Sequence, residues 1–316
     1  MLKIRIAETD NFSPKVIEEL SQTNQVDLKE TNKEELADCF RNYDVFWFRL
    51  KFKIEEQDFP ENTRCKYILC PVTGLDHIDL DACKRRGIEV ISLKGETEFL
   101  KNVRATAELT IGLTLSLIRN IPQAIQSVKL KNWDRNPYKG TEIFQKKVGI
   151  VGVGRLGSIT AKYFQAFGAS VYGYDINNFD TNICEPVSSL DDLASMVDIL
   201  SIHVSYNQNS HHLIHEKVIG RMKKSAILIN TSRGSVIEER SLLTALKNGN
   251  ISGAAIDVIQ NEYNIENNML IKYAQENQNL IITPHIGGNT WESFEKTEMF
   301  LVQKLVEQLK PTEIKK

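Results

Sequence analysis

The stretch Val148-Gly149-Ile150-Val151-Gly152-Val153-Gly154-Arg155-Leu156-Gly157 decides the fold of this chain. An apolar strand pattern runs directly into three glycines spaced G-x-G-x-x-G, and a helical pattern follows over Arg155–Phe167. In such a unit the first glycine permits a tight turn, the second lets the backbone approach a ligand, and the third lets helix and strand pack closely. Strand, glycines and helix occur here in the order that a dinucleotide-binding turn requires.

An acidic residue after the next strand identifies the dinucleotide. Asp175 ends the predicted strand Ser170–Tyr174, about 20 residues beyond the glycines, as the fingerprint expects. A carboxylate there can accept hydrogen bonds from ribose hydroxyls, but it repels the 2′-phosphate of NADP. The following Ile176-Asn177-Asn178 supplies no Arg or Lys to offset that repulsion. The sequence therefore predicts NAD as the cofactor.

Short β-rich runs alternate with helical patterns on both sides of this unit. This rhythm predicts an α/β fold, with helices packed on the faces of parallel sheets. The predicted strands are Lys3–Ala7, Gln25–Leu28, Asp44–Phe48, Tyr67–Cys70 and Glu89–Ser92 before it, and Lys147–Val151, Ser170–Tyr174, Ile199–His203, Ala226–Asn230, Ile251–Ala255 and Leu280–Thr283 from it onward.

A long apolar segment separates the two series of strands. Val103 to Ile121 predicts one helix that is apolar on most sides, and such a helix must be buried on most sides. Burial between domains or against a second subunit would satisfy this requirement. The simplest closed oligomer is a two-fold homodimer. A last amphipathic helix is predicted from Trp291 to Leu309.

Composition excludes several classes of protein. The chain has 316 residues, with 39 Lys and Arg against 41 Asp and Glu, for a net charge of −2. This balance disfavours a nucleic-acid partner, which usually requires a basic face. No apolar run is long enough to span a membrane, and the N-terminus lacks the apolar core of a signal peptide. Five scattered cysteines without a C-x-x-C pair indicate a reducing cytoplasm.

A metal site is not predicted. His211 and His215 have the i, i+4 spacing that can hold a metal on a helix, but they follow a polar segment that indicates a loop.

Four chemically active side chains follow predicted strands of the second series: Arg233, Asp257, Glu262 and His285. Ligands of open α/β sheets bind beyond the carboxyl ends of the strands, so these residues are expected on the ligand side. Taken singly, Arg233, Glu262 and His285 are better explained as ordinary turn or loop residues, because fold alone does not assign function.

Taken together with the fingerprint, these segments resemble the D-isomer-specific 2-hydroxyacid dehydrogenase family, especially its phosphoglycerate dehydrogenase-like branch. The resemblance covers nearly the whole chain. The segments that carry it are Thr73–Asp79, Arg104–Glu108, Gly152–Gly157, Asn230–Gly234, Gly253–Val258 and Pro284–Gly288.

The resemblance implies a role for each residue of the catalytic site. His285 would be the general acid and base, and Glu262 would hydrogen-bond it and favour its charged imidazolium form. Arg233 would hold the substrate carboxylate and polarise the C2 oxygen, a task that suits a planar guanidinium.

The resemblance also assigns binding residues. Asp257 would hydrogen-bond the nicotinamide carboxamide. Further cofactor contacts would come from Gly152, Gly154, Gly157, Asp175, the Arg155 and Leu156 backbone, Thr231, Ser232, Gly287 and Gly288. In the first domain, Thr73 and Gly74 would offer backbone N–H groups to the substrate carboxylate, and Arg49 corresponds to a basic position in phosphate-handling members.

The implied architecture has two Rossmann-like or flavodoxin-like domains with the active site in the cleft between them. Residues 1–100 plus 287–316 would form the substrate-binding domain and 101–286 the NAD-binding domain. The chain departs from the family pattern at Tyr263 and Ser205, where proline is usual, and carries two acids in the segment 95–100.

The implied activity is hydride transfer between NAD and a D-2-hydroxy acid/2-keto acid pair. Candidate substrates include 3-phosphoglycerate, glyoxylate and hydroxypyruvate. An NADH-sensing binding protein, like the corepressors of the family, is the alternative. Formate dehydrogenase fits less well, because it has glutamine where Glu262 stands.

Overall fold

The computed structural model describes residues 1–310, which fold as two compact units. Unit 1 comprises Met1–Val103 and the chain from Asn289 onward, and unit 2 comprises Arg104–Gly288. Each unit is an α/β domain built on one parallel sheet, which confirms the predicted fold class.

Unit 1 contains a five-stranded sheet in the order β2-β1-β3-β4-β5, and each neighbouring pair of strands is parallel. Its elements are β1 (Lys3–Ile6), α1 (Pro14–Ser21), β2 (Gln25–Leu28), α2 (Leu36–Asn42), β3 (Val45–Trp47), β4 (Tyr67–Cys70), α3 (Leu80–Arg85), β5 (Glu89–Ser92), α4 (Thr97–Leu100) and, from the end of the chain, the helix Trp291–Leu309.

Alternation along β3 divides the core of unit 1 into two layers. Phe46 faces one buried cluster with Phe40, while Trp47 faces the other. The helix Trp291–Leu309 inserts Leu301 and Leu305 into the layer that contains Trp47. Burial of this apolar face attaches the C-terminal helix to the first domain.

Unit 2 contains a seven-stranded parallel sheet in the order β12-β11-β10-β9-β6-β7-β8. Its elements are α5 (Ala105–Ile118), α6 (Ile121–Lys129), β6 (Lys147–Val151), α7 (Arg155–Ala166), β7 (Ser170–Tyr174), β8 (Glu185–Pro186), α8 (Leu190–Met196), β9 (Ile199–Ile202), α9 (Glu216–Ile219), β10 (Ile227–Asn230), α10 (Glu239–Lys247), β11 (Gly253–Ile256), α11 (Met269–Ala274) and β12 (Leu280–Ile282). The helix Trp291–Leu309, described above with unit 1, is α12. The strand order reverses at β6, and ligands bind at such switch points.

The helix predicted for 103–121 is confirmed as α5, but it is shorter at both ends and a second helix, α6, begins at Ile121. Asn120 has a left-handed conformation with φ of 52° and ends the first helix. Pro122 lies in the first turn of α6, where a missing N–H costs nothing. Within α5 one face is buried on the sheet of unit 2, whereas Glu108 and Gly112 are exposed.

No helix in residues 1–310 combines the length and the apolar character needed to cross a membrane.

Candidate active site

The glycine turn after β6 has the geometry that a dinucleotide requires. Gly152 has a φ of +89°, a backbone angle that residues with a side chain rarely adopt. A methyl group on Gly157 would lie 2.0 Å from the Gly152 carbonyl oxygen, so the third glycine permits the close packing of α7 against the turn. A methyl group on Gly154 would meet nothing within 4 Å. The second glycine therefore borders open space at the N-terminus of α7, where unpaired N–H groups favour an anion.

Asp175 lies immediately after β7 and orients this turn. Its Oδ2 accepts a hydrogen bond from the Val153 amide at 2.8 Å, and its Oδ1 accepts one from the Asn177 amide at 2.8 Å. Oδ1 also accepts from Nδ2 of Asn177 at 3.3 Å. A carboxylate can accept about four hydrogen bonds, so Oδ2 retains capacity for a ribose hydroxyl. These residues fit an NAD molecule whose phosphates lie at the start of α7.

His285 and Glu262 form a direct pair. Nδ1 of His285 lies 2.7 Å from Oε2 of Glu262, and the two side chains are 22% and 32% exposed. Because Nδ1 is held by the carboxylate, Nε2 is the ring nitrogen left to exchange a proton with a ligand. His285 has a φ of 53°, a conformation that is uncommon outside glycine and is often found at functional sites.

Asp257 holds the turn that carries His285. Its Oδ1 accepts hydrogen bonds from the Thr283 hydroxyl at 2.6 Å and the Ile286 amide at 2.9 Å, and its Oδ2 accepts one from the Gly287 amide at 2.8 Å. Burial raises the pKa of Asp257, and these hydrogen bonds oppose the rise. This bracing role was not expected from the sequence, and the contact with the nicotinamide carboxamide stays a prediction.

The turn after β10 presents Arg233 beside the loop that carries Glu262. The side chain of Asn230 shapes this turn, since its Oδ1 accepts from the Ser232 amide at 3.0 Å and its Nδ2 donates to the Arg233 carbonyl at 3.0 Å. A methyl group on Gly234 would lie 2.0 Å from the Ile259 carbonyl carbon. The turn that carries Arg233 is therefore in direct backbone contact with Ile259 and Gln260, which lead to Glu262. Thr231 is bonded through its hydroxyl to Thr110 at 2.9 Å.

Unit 2 thus brings Arg233, Glu262 and His285 to the carboxyl ends of three adjacent parallel strands, β10, β11 and β12. Asn230 and Gly234 were not predicted as site residues, although both lie in the segment 230–234 that carries the family resemblance. The Asn-Thr-Ser turn signal was visible, but only the fold shows that a glycine is needed where two loops touch.

The predicted substrate residues of unit 1 differ in whether their polar groups already bond other residues of the chain. Arg49 is 8% exposed, forms an ion pair with Glu298, and lies 4.1 Å from the centre of the Phe294 ring. A substrate anion at Arg49 would therefore compete with a buried carboxylate. Neither the Thr73 nor the Gly74 amide donates a hydrogen bond to another group within residues 1–310.

The histidines of the polar segment have structural contacts. His211 and His212 stack with ring centres 3.9 Å apart, and His215 Nδ1 accepts from the Lys217 amide at the start of α9. Across residues 1–310 no group of three or more His, Cys, Asp or Glu side chains is arranged to hold a metal.

Comparison with known proteins agrees with this geometry. Residues 111–287 match the sequence model described as "D-isomer specific 2-hydroxyacid dehydrogenase, NAD binding domain". The chain belongs to this family. The match confirms the predicted family and NAD as the predicted cofactor.

Two curated members of the family illustrate the degree of similarity. The chain is 33% identical to D-3-phosphoglycerate dehydrogenase of Methanocaldococcus jannaschii over 92% of its length and 54% of that protein. It is 35% identical to glyoxylate reductase of Thermofilum pendens over 88% of its length and 82% of that protein. The chain thus spans about half the length of several phosphoglycerate dehydrogenases that it matches.

Solved structures of the family share the fold. D-lactate dehydrogenase of Aquifex aeolicus, solved with NAD and lactic acid, superposes with a TM-score of 0.78 at 28% identity. The superposition covers 97% of this chain and 95% of that one.

Proposed function

We propose that the protein is an NAD-dependent oxidoreductase that interconverts a D-2-hydroxy acid and the corresponding 2-keto acid. The observation that carries the proposal is the His285–Glu262 pair at 2.7 Å, on the same sheet edge as the glycine turn. An acid–base pair at the ligand edge of an NAD-binding sheet suits a reaction in which a proton and a hydride move together.

NAD supplies the hydride acceptor, or the donor when reduced, and the chain's own residues control the proton and the substrate. In the reductive direction Nε2 of His285 donates a proton to the carbonyl oxygen, and in the oxidative direction it accepts the hydroxyl proton. Glu262 stabilises the imidazolium form while Nδ1 stays bonded to it. Arg233 pairs with the substrate carboxylate, which fixes the orientation of the C2 oxygen.

Asp175 supports NAD over NADP. Its carboxylate keeps acceptor capacity for a ribose hydroxyl after bonding Val153 and Asn177. The 2′-phosphate of NADP would be repelled by the negative charge of this carboxylate.

Residues of unit 1 complete substrate binding in this proposal. The Thr73 and Gly74 amides receive the substrate carboxylate, and Arg49 is the basic residue that a phosphorylated substrate would require. Because Glu298 already neutralises Arg49, we expect small unphosphorylated 2-keto acids such as glyoxylate or hydroxypyruvate to be preferred over 3-phosphohydroxypyruvate.

We also propose that the protein is a homodimer formed through unit 2. Ile121, Ile125 and Val128 are 38%, 51% and 51% exposed and share one face of α6, next to Leu130 at 72% and Trp133 at 90%. A contiguous exposed apolar face indicates an interface. Light scattering should give twice the chain mass, and Ile125→Lys should shift the protein to monomer. Five buried free cysteines support a cytoplasmic location.

A substrate panel tests the activity. Oxidation of NADH and of NADPH is followed with glyoxylate, hydroxypyruvate, pyruvate and 3-phosphohydroxypyruvate. We expect turnover with NADH and at least one 2-keto acid. Tight NADH binding with no turnover on any of them would contradict the enzyme and favour a dinucleotide-sensing protein.

A further inference from the structure

Glu239 is a buried carboxylate that the proposed chemistry does not use. It occupies the first position of α10 and is 7% exposed. Burial raises the pKa of Glu239, while hydrogen bonds from Gln260 and Asn268 oppose the rise. Within residues 1–310 no Lys, Arg or His forms a salt bridge with it, so its partners are neutral donors and the positive end of the helix.

The two oxygens of Glu239 bind both ends of one loop. Oε1 accepts a hydrogen bond from the Gln260 amide at 2.6 Å, where the loop leaves β11. Oε2 accepts one from Nδ2 of Asn268 at 3.1 Å, where the loop enters α11. Asn268 is itself the N-cap of α11, because its Oδ1 accepts from the Leu270 and Ile271 amides. We name residues 260–268 the glutamate loop.

Glu262 lies inside the glutamate loop, between the two points that Glu239 holds. Within the loop, the Asn264 amide donates to the Asn261 carbonyl and the Asn268 amide to the Ile265 carbonyl. The side chain of Gln260 adds bonds to Nε2 of His212 and to the Ile237 carbonyl, both at the first residue of the loop. Glu239 joins the start of the loop to its end.

We propose that Glu239 is a positioning residue that holds Glu262 against His285. It touches neither of these side chains and acts by fixing the two ends of the glutamate loop. The consequence for catalysis rests on the proposed dehydrogenase function, whereas the consequence for the geometry of the Glu262–His285 pair does not.

The variant Glu239→Gln weakens one end of this clamp. The amide oxygen can still accept from the Gln260 amide, and it keeps at most the long 3.4 Å contact to Asn268 Nδ2. The amide nitrogen faces the same Nδ2 donor and cannot replace the 3.1 Å bond. We expect kcat for 2-keto acid reduction to fall about 10- to 100-fold, because small displacements of catalytic groups have effects of this size. The basic limb of the pH–rate profile should move to lower pH, since the imidazolium loses a fixed carboxylate. NAD affinity should stay unchanged.

Asn268→Asp opens the same end of the clamp without changing Glu239. The new carboxylate keeps an oxygen to cap α11, but it repels Glu239 where an N–H donor stood. Asn268→Asp should reproduce the change in the pH–rate profile. If Glu239→Gln fails to fold, Asn268→Asp tests the role of Glu239 by itself. Glu238→Gln is the matched control: this neighbouring carboxylate bonds Ser241 within α10 and should leave the profile as in the wild type.

A readout independent of turnover separates the two proposals. The His285 Nδ1 proton should give a downfield NMR resonance, which its absence in His285→Asn identifies. This resonance should shift or broaden in Glu239→Gln and Asn268→Asp but not in Glu238→Gln. An unchanged resonance in both loop variants, or an unchanged pH profile in an active enzyme, would overturn the role of Glu239. Absence of turnover in the wild type would overturn only the proposed function.

Discussion

A methyl group on Gly234 would lie 2.0 Å from the carbonyl carbon of Ile259, so these two residues bring their backbones into direct contact. Gly234 follows Arg233, and Ile259 precedes the loop that carries Glu262. The spacing between Arg233 and the loop that carries Glu262 therefore depends on the absence of a side chain at position 234.

The variant Gly234→Ala should separate these two segments. We expect kcat/KM to fall at least tenfold and the free energy of unfolding to fall by about 1–3 kcal/mol, because the backbone has to move to accept the methyl group. Steady-state kinetics and chemical denaturation measure both effects. Gly112→Ala is the control, since a methyl group there meets nothing within 4 Å. Wild-type kinetics in Gly234→Ala would contradict the coupling of the two loops.

The second and third glycines of the fingerprint should respond differently to the same change. Gly157→Ala places a methyl group 2.0 Å from the Gly152 oxygen and should destabilise unit 2, which a lower Tm would report. Gly154→Ala meets no protein atom within 4 Å and should keep the wild-type Tm, but weaken NAD binding about tenfold or more. Titration calorimetry measures the affinity for NAD. Equal affinity in Gly154→Ala and the wild type would contradict the binding of the NAD phosphates at this turn.

Glu262→Gln should change how activity depends on pH. The amide can keep a hydrogen bond to His285, but it lacks the charge that favours imidazolium. In the proposed reduction His285 donates a proton, so we expect the basic limb of the pH–rate profile to move to lower pH. Rates measured across the pH range with saturating NADH check this. A profile that coincides with that of the wild type would show that the pair does not act as proposed.

His203 should make the protein less stable in mild acid. Burial lowers the pKa of His203 to about 4, against 6.5 when exposed, so the unfolded chain binds this proton more readily than the folded one. The stability contribution is complete above pH 6.5 and is lost as the pH falls toward 4, by about 2 kcal/mol at pH 5. Denaturation of His203→Gln at pH 7 and pH 5 should show a smaller loss than the wild type. An equal loss in both proteins would rule out His203 as the cause.

Most of the fold was predictable from periodicity. Strands β2, β4, β5, β6 and β7 begin and end at the predicted residues, because their apolar runs are bounded by turn or helix signals. The break between α5 and α6 was missed because it depends on the left-handed conformation of Asn120, which no hydrophobic pattern reveals. The short helices α4, α9 and α11 have too few residues for a periodic signal.

The site was predictable in its residue types but less so in its contacts. The order of the segments pointed to Arg233, Glu262 and His285, and the structure brings them to one edge of the sheet. The bracing by Asp257, the clamp formed by Glu239 and the pairing of Arg49 with Glu298 could not be read from spacing. Each joins residues that are distant in sequence, so only the folded chain defines them.

His285→Asn tests the central claim most directly. The variant removes the nitrogen to which we assign the proton exchange but leaves the glycine turn and Asp175 unchanged. We predict that NADH binds with wild-type affinity, while kcat for reduction of the best 2-keto acid in the panel falls about 10²- to 10⁴-fold. Wild-type turnover in His285→Asn would contradict the assignment of His285 as the acid and base.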